Sequence, residues 1–236
     1  MSAEASLPAL TRGEGPHAGQ PLALAGPAPG DARLALVMLH GRGAGPEDML
    51  GLHDHLGLPD VLAIAPAAAG RSWWPGSFLA PLAQNEPALS SALSVVAALL
   101  ADLDRAGIGP ERVVLAGFSQ GACLTLEAAA RLSPPLRAVA ALSGALVGMG
   151  EAEGPVQAAL YGHADKRFDY DGSLAGVPLL IGCHERDPHI PLARVRTSAE
   201  VLEGMGAEAK TLVIPGSGHS LVEEEIAWLR GQLKDG

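Results

Sequence analysis

The segment Gly117-Phe118-Ser119-Gln120-Gly121 carries the residue types of covalent catalysis. A serine with glycines two positions to either side is a weak signal alone. Its setting strengthens it: the apolar run VVLAGF leads in, and an Ala- and Leu-rich stretch leads out. A strand that turns sharply into a helix at a serine presents its hydroxyl at the helix N-terminus, where developing negative charge is favoured. Such a turn needs Gly117 and Gly121, because Cβ atoms there would collide while the serine adopts a strained backbone. The competing reading is a plain tight turn with a capping serine.

A hydroxyl becomes a good nucleophile only when a base takes its proton. At an elbow of this kind the acid and then the histidine follow the serine in sequence, each past a strand end. Of His163, His184, His189 and His219, only His219 follows the last strand-like run, in Ile214-Pro215-Gly216-Ser217-Gly218-His219. Gly216 and Gly218 free that loop to bring the imidazole to Ser119. Asp187, beyond the run PLLIGC, is the best-placed acid; Glu185 and the polar-stretch residues Asp165, Asp169 and Asp171 are its rivals. The acid would accept the Nδ1–H of the histidine and stabilise the imidazolium. An oxyanion hole needs two converging backbone N–H groups. Gln120 would supply one and Arg42 the other, from His40-Gly41-Arg42-Gly43 after the run LALVML. His40 reads as a hydrogen-bonded histidine beneath that loop.

The elements that must position these residues alternate along the chain. Strands are expected over 34–39, 61–66, 112–118, 138–142, 178–183 and 209–214, with a short one near 21–25. Helices are expected over 88–106, 120–132, 191–205 and about 222–233. This order predicts an α/β fold: a mostly parallel central sheet with helices on both faces, in one domain spanning 1–236. Residues 1–20 read as an irregular arm. Right-handed crossovers would bring every strand's C-terminal end to one edge. Two stretches interrupt the alternation, Ala67–Pro87 and Val147–Gly176, and both are candidate pocket rims. The first holds Trp73, Trp74 and Phe78 in a chain only 3% aromatic, so these are candidate substrate-binding residues. His53, Asp54 and His55 read as surface. The acidic run Glu223–Glu225 suits a helix N-terminus and needs no function.

Composition bounds the function. The chain has 236 residues, 48% of them hydrophobic, with mean hydropathy +0.22, which excludes a disordered chain. The net charge of −10 argues against nucleic acid or an anionic membrane as main partner. No run suggests a leader peptide or stable membrane insertion. Two cysteines, Cys123 and Cys183, suggest buried reduced thiols and a cytoplasmic protein. The segment around His184, Glu185, Asp187 and His189 lacks metal-site spacing, so no metal is expected. A homodimer is compatible with the chain.

With LHGRGA, GFSQGA, DPHIP and the Gly-x-Gly-His segment in this order, the chain resembles the alpha/beta-hydrolase fold. More narrowly, it is similar to the small bacterial phospholipase/carboxylesterase family that includes acyl-protein thioesterases. WWPGSFLAP also resembles a segment of the bacterial carboxylesterase branch. The resemblance covers about 34–233 and implies a three-layer fold without a large cap domain. It implies a Ser119–Asp187–His219 triad, with the amides of Arg42 and Gln120 as oxyanion hole. It also implies hydrolysis of a small-molecule ester through an acyl-enzyme, without metal or cofactor. Acyl-protein thioesterases commonly carry an apolar residue where Arg42 stands, so short acyl chains are expected here. Thioester or lysophospholipid hydrolysis by the same triad is the second reading; a non-catalytic binding module is a third, of another class.

Overall fold

The computed structural model describes residues 7–234. Its centre is a seven-stranded sheet. The strands are β1 (Leu22–Ala25), β2 (Leu34–Leu39), β3 (Val61–Pro66), β4 (Val113–Phe118), β5 (Ala138–Leu142), β8 (Pro178–Arg186) and β9 (Glu208–Ser217). They lie in the order β1-β3-β2-β4-β5-β8-β9, with only β1 antiparallel. Strands β2 to β5 are continuous apolar runs because helices cover both faces.

Alternation along β2 shows the layering. Ala35, Val37 and Leu39 join one apolar cluster, which includes Leu89, Leu124 and Val195 of α2 (Ala88–Arg105), α3 (Gln120–Leu132) and α4 (Leu192–Gly204). Leu34, Leu36 and Met38 join the other, with Met49, Leu52, Leu229 and Leu233 of α1 (Pro46–Leu56) and α5 (Glu223–Lys234). The result is a three-layer α/β fold in which no large cap domain covers the described residues.

Helix α1 is absent from the sequence reading. Gly51 interrupts its short apolar pattern, and its start is marked only by Pro46 at the first turn and by Asp48, whose carboxylate accepts the Gly45 N–H at 2.8 Å. The helix also corrects the surface assignment of His53. That side chain is buried, with Nε2 3.2 Å from the Val61 carbonyl. The arm is irregular as expected, yet its described part is anchored. His17 is buried; its Nε2 lies 2.9 Å from the Trp73 carbonyl and its Nδ1 accepts the Ala69 N–H at 3.0 Å.

The stretch 147–176 folds on itself. Strands β6 (Gly150–Glu151) and β7 (Lys166–Arg167) pair antiparallel. Fully buried Glu127 on α3 ties this stretch down, accepting from the Gly148 N–H at 2.7 Å, Arg131 Nε at 2.6 Å and the Tyr170 hydroxyl at 2.6 Å. Among the described residues, no helix is long and apolar enough to cross a membrane.

Candidate active site

The turn from β4 into α3 is as tight as the two glycines predict. A Cβ on Gly117 would lie 2.3 Å from the Gly121 carbonyl oxygen. One on Gly121 would lie 2.0 Å from the Leu39 carbonyl oxygen on the neighbouring strand. Ser119 takes φ 54° and ψ −116°, a strained conformation for a non-glycine residue. Its N–H donates to the Leu142 carbonyl at 2.9 Å, which fastens the strained turn to β5.

Three distant segments meet at this serine. His219 Nε2 lies 2.8 Å from Ser119 Oγ, and His219 Nδ1 lies 2.7 Å from Asp187 Oδ2. Because an ionised carboxylate only accepts, the Nδ1 carries the proton and Nε2 is left to receive one from the serine. Asp187 is 2% exposed. Its other oxygen, Oδ1, accepts the N–H groups of His189 at 2.8 Å and Ile190 at 3.0 Å. Burial alone would raise this carboxyl, but the His219 hydrogen bond and the two backbone N–H groups outweigh it and hold it below its ordinary value. Of the competing acids, Asp165 pairs with buried Arg194 at 2.9 Å, Asp169 with Arg167 at 3.6 Å and Glu185 with Arg186 at 3.3 Å.

The loop after β2 lies against the elbow. His40 is buried and its tautomer is fixed: Nε2 accepts the Ala68 N–H at 3.0 Å, so Nδ1 donates to the Gly41 carbonyl at 2.8 Å. Burial pushes its pKa down, keeping it neutral. Arg42 and Gln120 flank Ser119 in the wall of a cleft of about 570 Å³. Gly41, Phe118, His189 and His219 complete the part of the wall around the serine, and Ala44, Pro75, Gly76 and Ser77 form its rim. The His189 ring stands edge-on to His219, with centroids 4.9 Å apart. The sequence reading gave His189 no role, because neighbouring loop residues do not reveal which of them faces a cleft.

Trp73, Trp74 and Phe78 require a correction, since none of them lines the cleft. The two indoles are 0% and 1% exposed, and Phe78 also belongs to the core. The Gln120 side chain explains this arrangement. Its Oε1 accepts the Trp73 N–H at 2.9 Å and its Nε2 donates to the Trp74 carbonyl at 2.8 Å. Trp73 Nε1–H meanwhile donates to the His40 carbonyl at 2.9 Å. With backbone and ring fixed this way the indoles point inward, and the next three residues reach the cleft instead. The stretch 147–176, expected as a second rim, contributes no wall residue; it touches the site from behind, where the Tyr161 hydroxyl donates to the Asp187 carbonyl.

Both cysteines are unpaired and buried. Burial pushes each thiol up to about 12, so neither offers a ready thiolate. Among the described residues, no three His, Cys, Asp or Glu side chains form a metal-ligating group.

A parallel sheet carrying a strained serine elbow, with histidine and acid beyond later strand ends, defines an alpha/beta-hydrolase fold. Residues 28–234 match the family model for phospholipase/carboxylesterase, and the chain belongs to that family. It is similar to the crystal structure of a phospholipase/carboxylesterase from Dyadobacter fermentans, with 34% identity and a TM-score of 0.81, covering 95% of this chain and 100% of that one. The structure of esterase PE8 is 28% identical with a TM-score of 0.67, over 91% of this chain and 97% of that one. Acyl-protein thioesterase 1 of Gibberella zeae is 34% identical over 131 residues, a match spanning 54% of this chain and 51% of that relative.

Proposed function

We propose that this chain is a serine hydrolase of carboxylic esters, working through an acyl-enzyme with Ser119, His219 and Asp187. The observation that carries the proposal is the unbroken hydrogen-bond line from Ser119 Oγ through His219 to Asp187, at 2.8 and 2.7 Å. In the first half-reaction His219 Nε2 takes the serine proton as Oγ bonds to the ester carbonyl carbon. The carbonyl oxygen becomes an oxyanion, received by the N–H groups of Arg42 and Gln120. The carbon–oxygen bond to the alcohol then breaks, and Nε2 returns the proton to that oxygen. Water repeats the sequence on the acyl-enzyme and releases the acid. Asp187 stays ionised and stabilises the imidazolium in both halves.

The uncapped cleft and the charged Arg42 at its wall favour short acyl chains. The buried, unpaired cysteines fit the cytoplasm as its compartment. Thioester hydrolysis is the second reading, favoured by the similarity to a fungal acyl-protein thioesterase. Labelling by a fluorophosphonate probe, lost in Ser119→Ala, tests the serine chemistry. Matched oxygen-ester and thioester substrates of increasing chain length separate the two readings. An unlabelled wild-type enzyme would remove the proposal, and a rate maximum at long chains would remove the short-chain preference.

A further inference from the structure

We infer that the ester carries a carboxylate of its own and that the Arg42 side chain receives it; this rests on the ester-hydrolase reading above. The Arg42 side chain reaches across the cleft mouth, where Nη1 donates to the Pro75 carbonyl at 2.8 Å and Nη2 to the Gly76 carbonyl at 2.5 Å. Two carbonyls hold the guanidinium in place without neutralising it. Its Nε–H and the second N–H of each terminal nitrogen remain available. Several other arginines are neutralised by carboxylates, among them Arg33 by Asp60, Arg105 by Asp102, Arg131 by Glu127 and Arg194 by Asp165, whereas Arg71, Arg112, Arg137 and Arg196 are not; of these unpaired ones none lines the cleft. Among the described residues, Arg42 has no such partner.

The surroundings point the same way. The chain holds 26 Asp and Glu against 16 Lys and Arg, yet no acidic residue lines this cleft. Asp187, the acid behind the wall, is 2% exposed, and both its oxygens already accept hydrogen bonds. A substrate anion entering the cleft therefore meets a fixed cation and no competing surface carboxylate. One guanidinium with two arms engaged suits a monoanion, and a planar carboxylate matches its remaining N–H groups. The substrate class is thus a small ester with a carboxylate a few bonds from the scissile carbonyl, on the acyl or the alcohol side. Hydrolysis consumes one water and gives an acid and an alcohol, while the substrate's own carboxylate is unchanged.

The test compares kcat/KM by acid release at neutral pH for two matched pairs of esters. Ethyl hydrogen adipate, with the carboxylate on the acyl side, is set against ethyl hexanoate, and 4-acetoxybutanoate, with it on the alcohol side, against butyl acetate. One carboxylate ester should exceed its neutral match by about 10- to 100-fold, the range of a charge-assisted hydrogen bond; which one it is locates the anion. In Arg42→Met that ratio should collapse towards one, whatever happens to the individual rates, and Arg42→Lys should keep part of it. A wild-type ratio at or below one, or a ratio unchanged in Arg42→Met, overturns the inference and leaves the hydrolase reading standing. If no ester is turned over and Ser119 resists the fluorophosphonate, the hydrolase reading itself fails and this inference fails with it.

Discussion

Replacing Gln120 by leucine separates the two tasks assigned to that residue. Its backbone N–H stays available to an oxyanion, while its side-chain amide is lost. The residue is only 7% exposed. It holds the Trp73 N–H at 2.9 Å and the Trp74 carbonyl at 2.8 Å. The Trp74 carbonyl keeps a second donor, the Ser72 hydroxyl at 2.7 Å, so it is not orphaned. The Trp73 N–H has no such reserve. Leaving one buried donor unpaired costs about 1–3 kcal/mol, and the lost second bond adds about 1 kcal/mol. The total of about 2–4 kcal/mol corresponds to a fall in Tm of roughly 5–15 °C for a chain of this size. Because the same backbone runs on into Pro75, Gly76 and Ser77 at the cleft, KM for esters should rise along with the loss of stability. Thermal melts followed by circular dichroism, steady-state hydrolysis and fluorophosphonate labelling make the measurement. A variant melting within about 1 °C of wild type, with unchanged KM, would refute the argument that this amide fixes the rim.

Other outcomes follow from the same geometry. Asp187→Asn should lower kcat by about 10³- to 10⁴-fold with the fold intact, because the amide cannot hold the productive histidine tautomer; steady-state kinetics beside a melting curve will check this. Gly121→Ala places a methyl group 2.0 Å from the Leu39 carbonyl oxygen, a backbone atom that cannot step aside, so the variant should lose several degrees of Tm or express insolubly. Glu225, read from the sequence as part of an acidic run suited to a helix N-terminus, is fully buried over Gly182, and burial pushes its carboxyl up from 4.5 to about 7. Between those values the folded chain holds a proton that the unfolded chain releases, so stability falls as pH rises. Glu225→Gln should therefore melt higher than wild type at pH 8, with the difference gone near pH 4; equal melting at both pH values would contradict the burial argument.

The sheet was legible because continuous apolar runs such as 34–39 and 138–142 have few alternatives to a strand covered on both faces. Helix α1 escaped because Gly51 breaks its short apolar pattern and its start depends on a capping contact. The elbow could be read because it is local: glycine spacing, strand and helix all lie within a few residues of Ser119. His219 and Asp187 were legible only as members of an order along the chain, each past a strand end. The indoles at 73 and 74 misled because aromatic clustering signals burial in a core as readily as exposure in a pocket, and composition does not distinguish the two.

Local covalent geometry and hydrophobic period, both written in neighbouring residues, determined the strands, the strained serine turn and the candidates for its partners. The rest was decided by contacts between residues far apart in sequence. The sheet order brings 119, 187 and 219 to one edge, the Gln120 amide turns two tryptophans inward, and the Glu225 carboxyl settles over a glycine that leaves room for it. Whether a side chain lines a cleft or fills a core depends on what packs against it, and that information exists only once the chain has closed on itself.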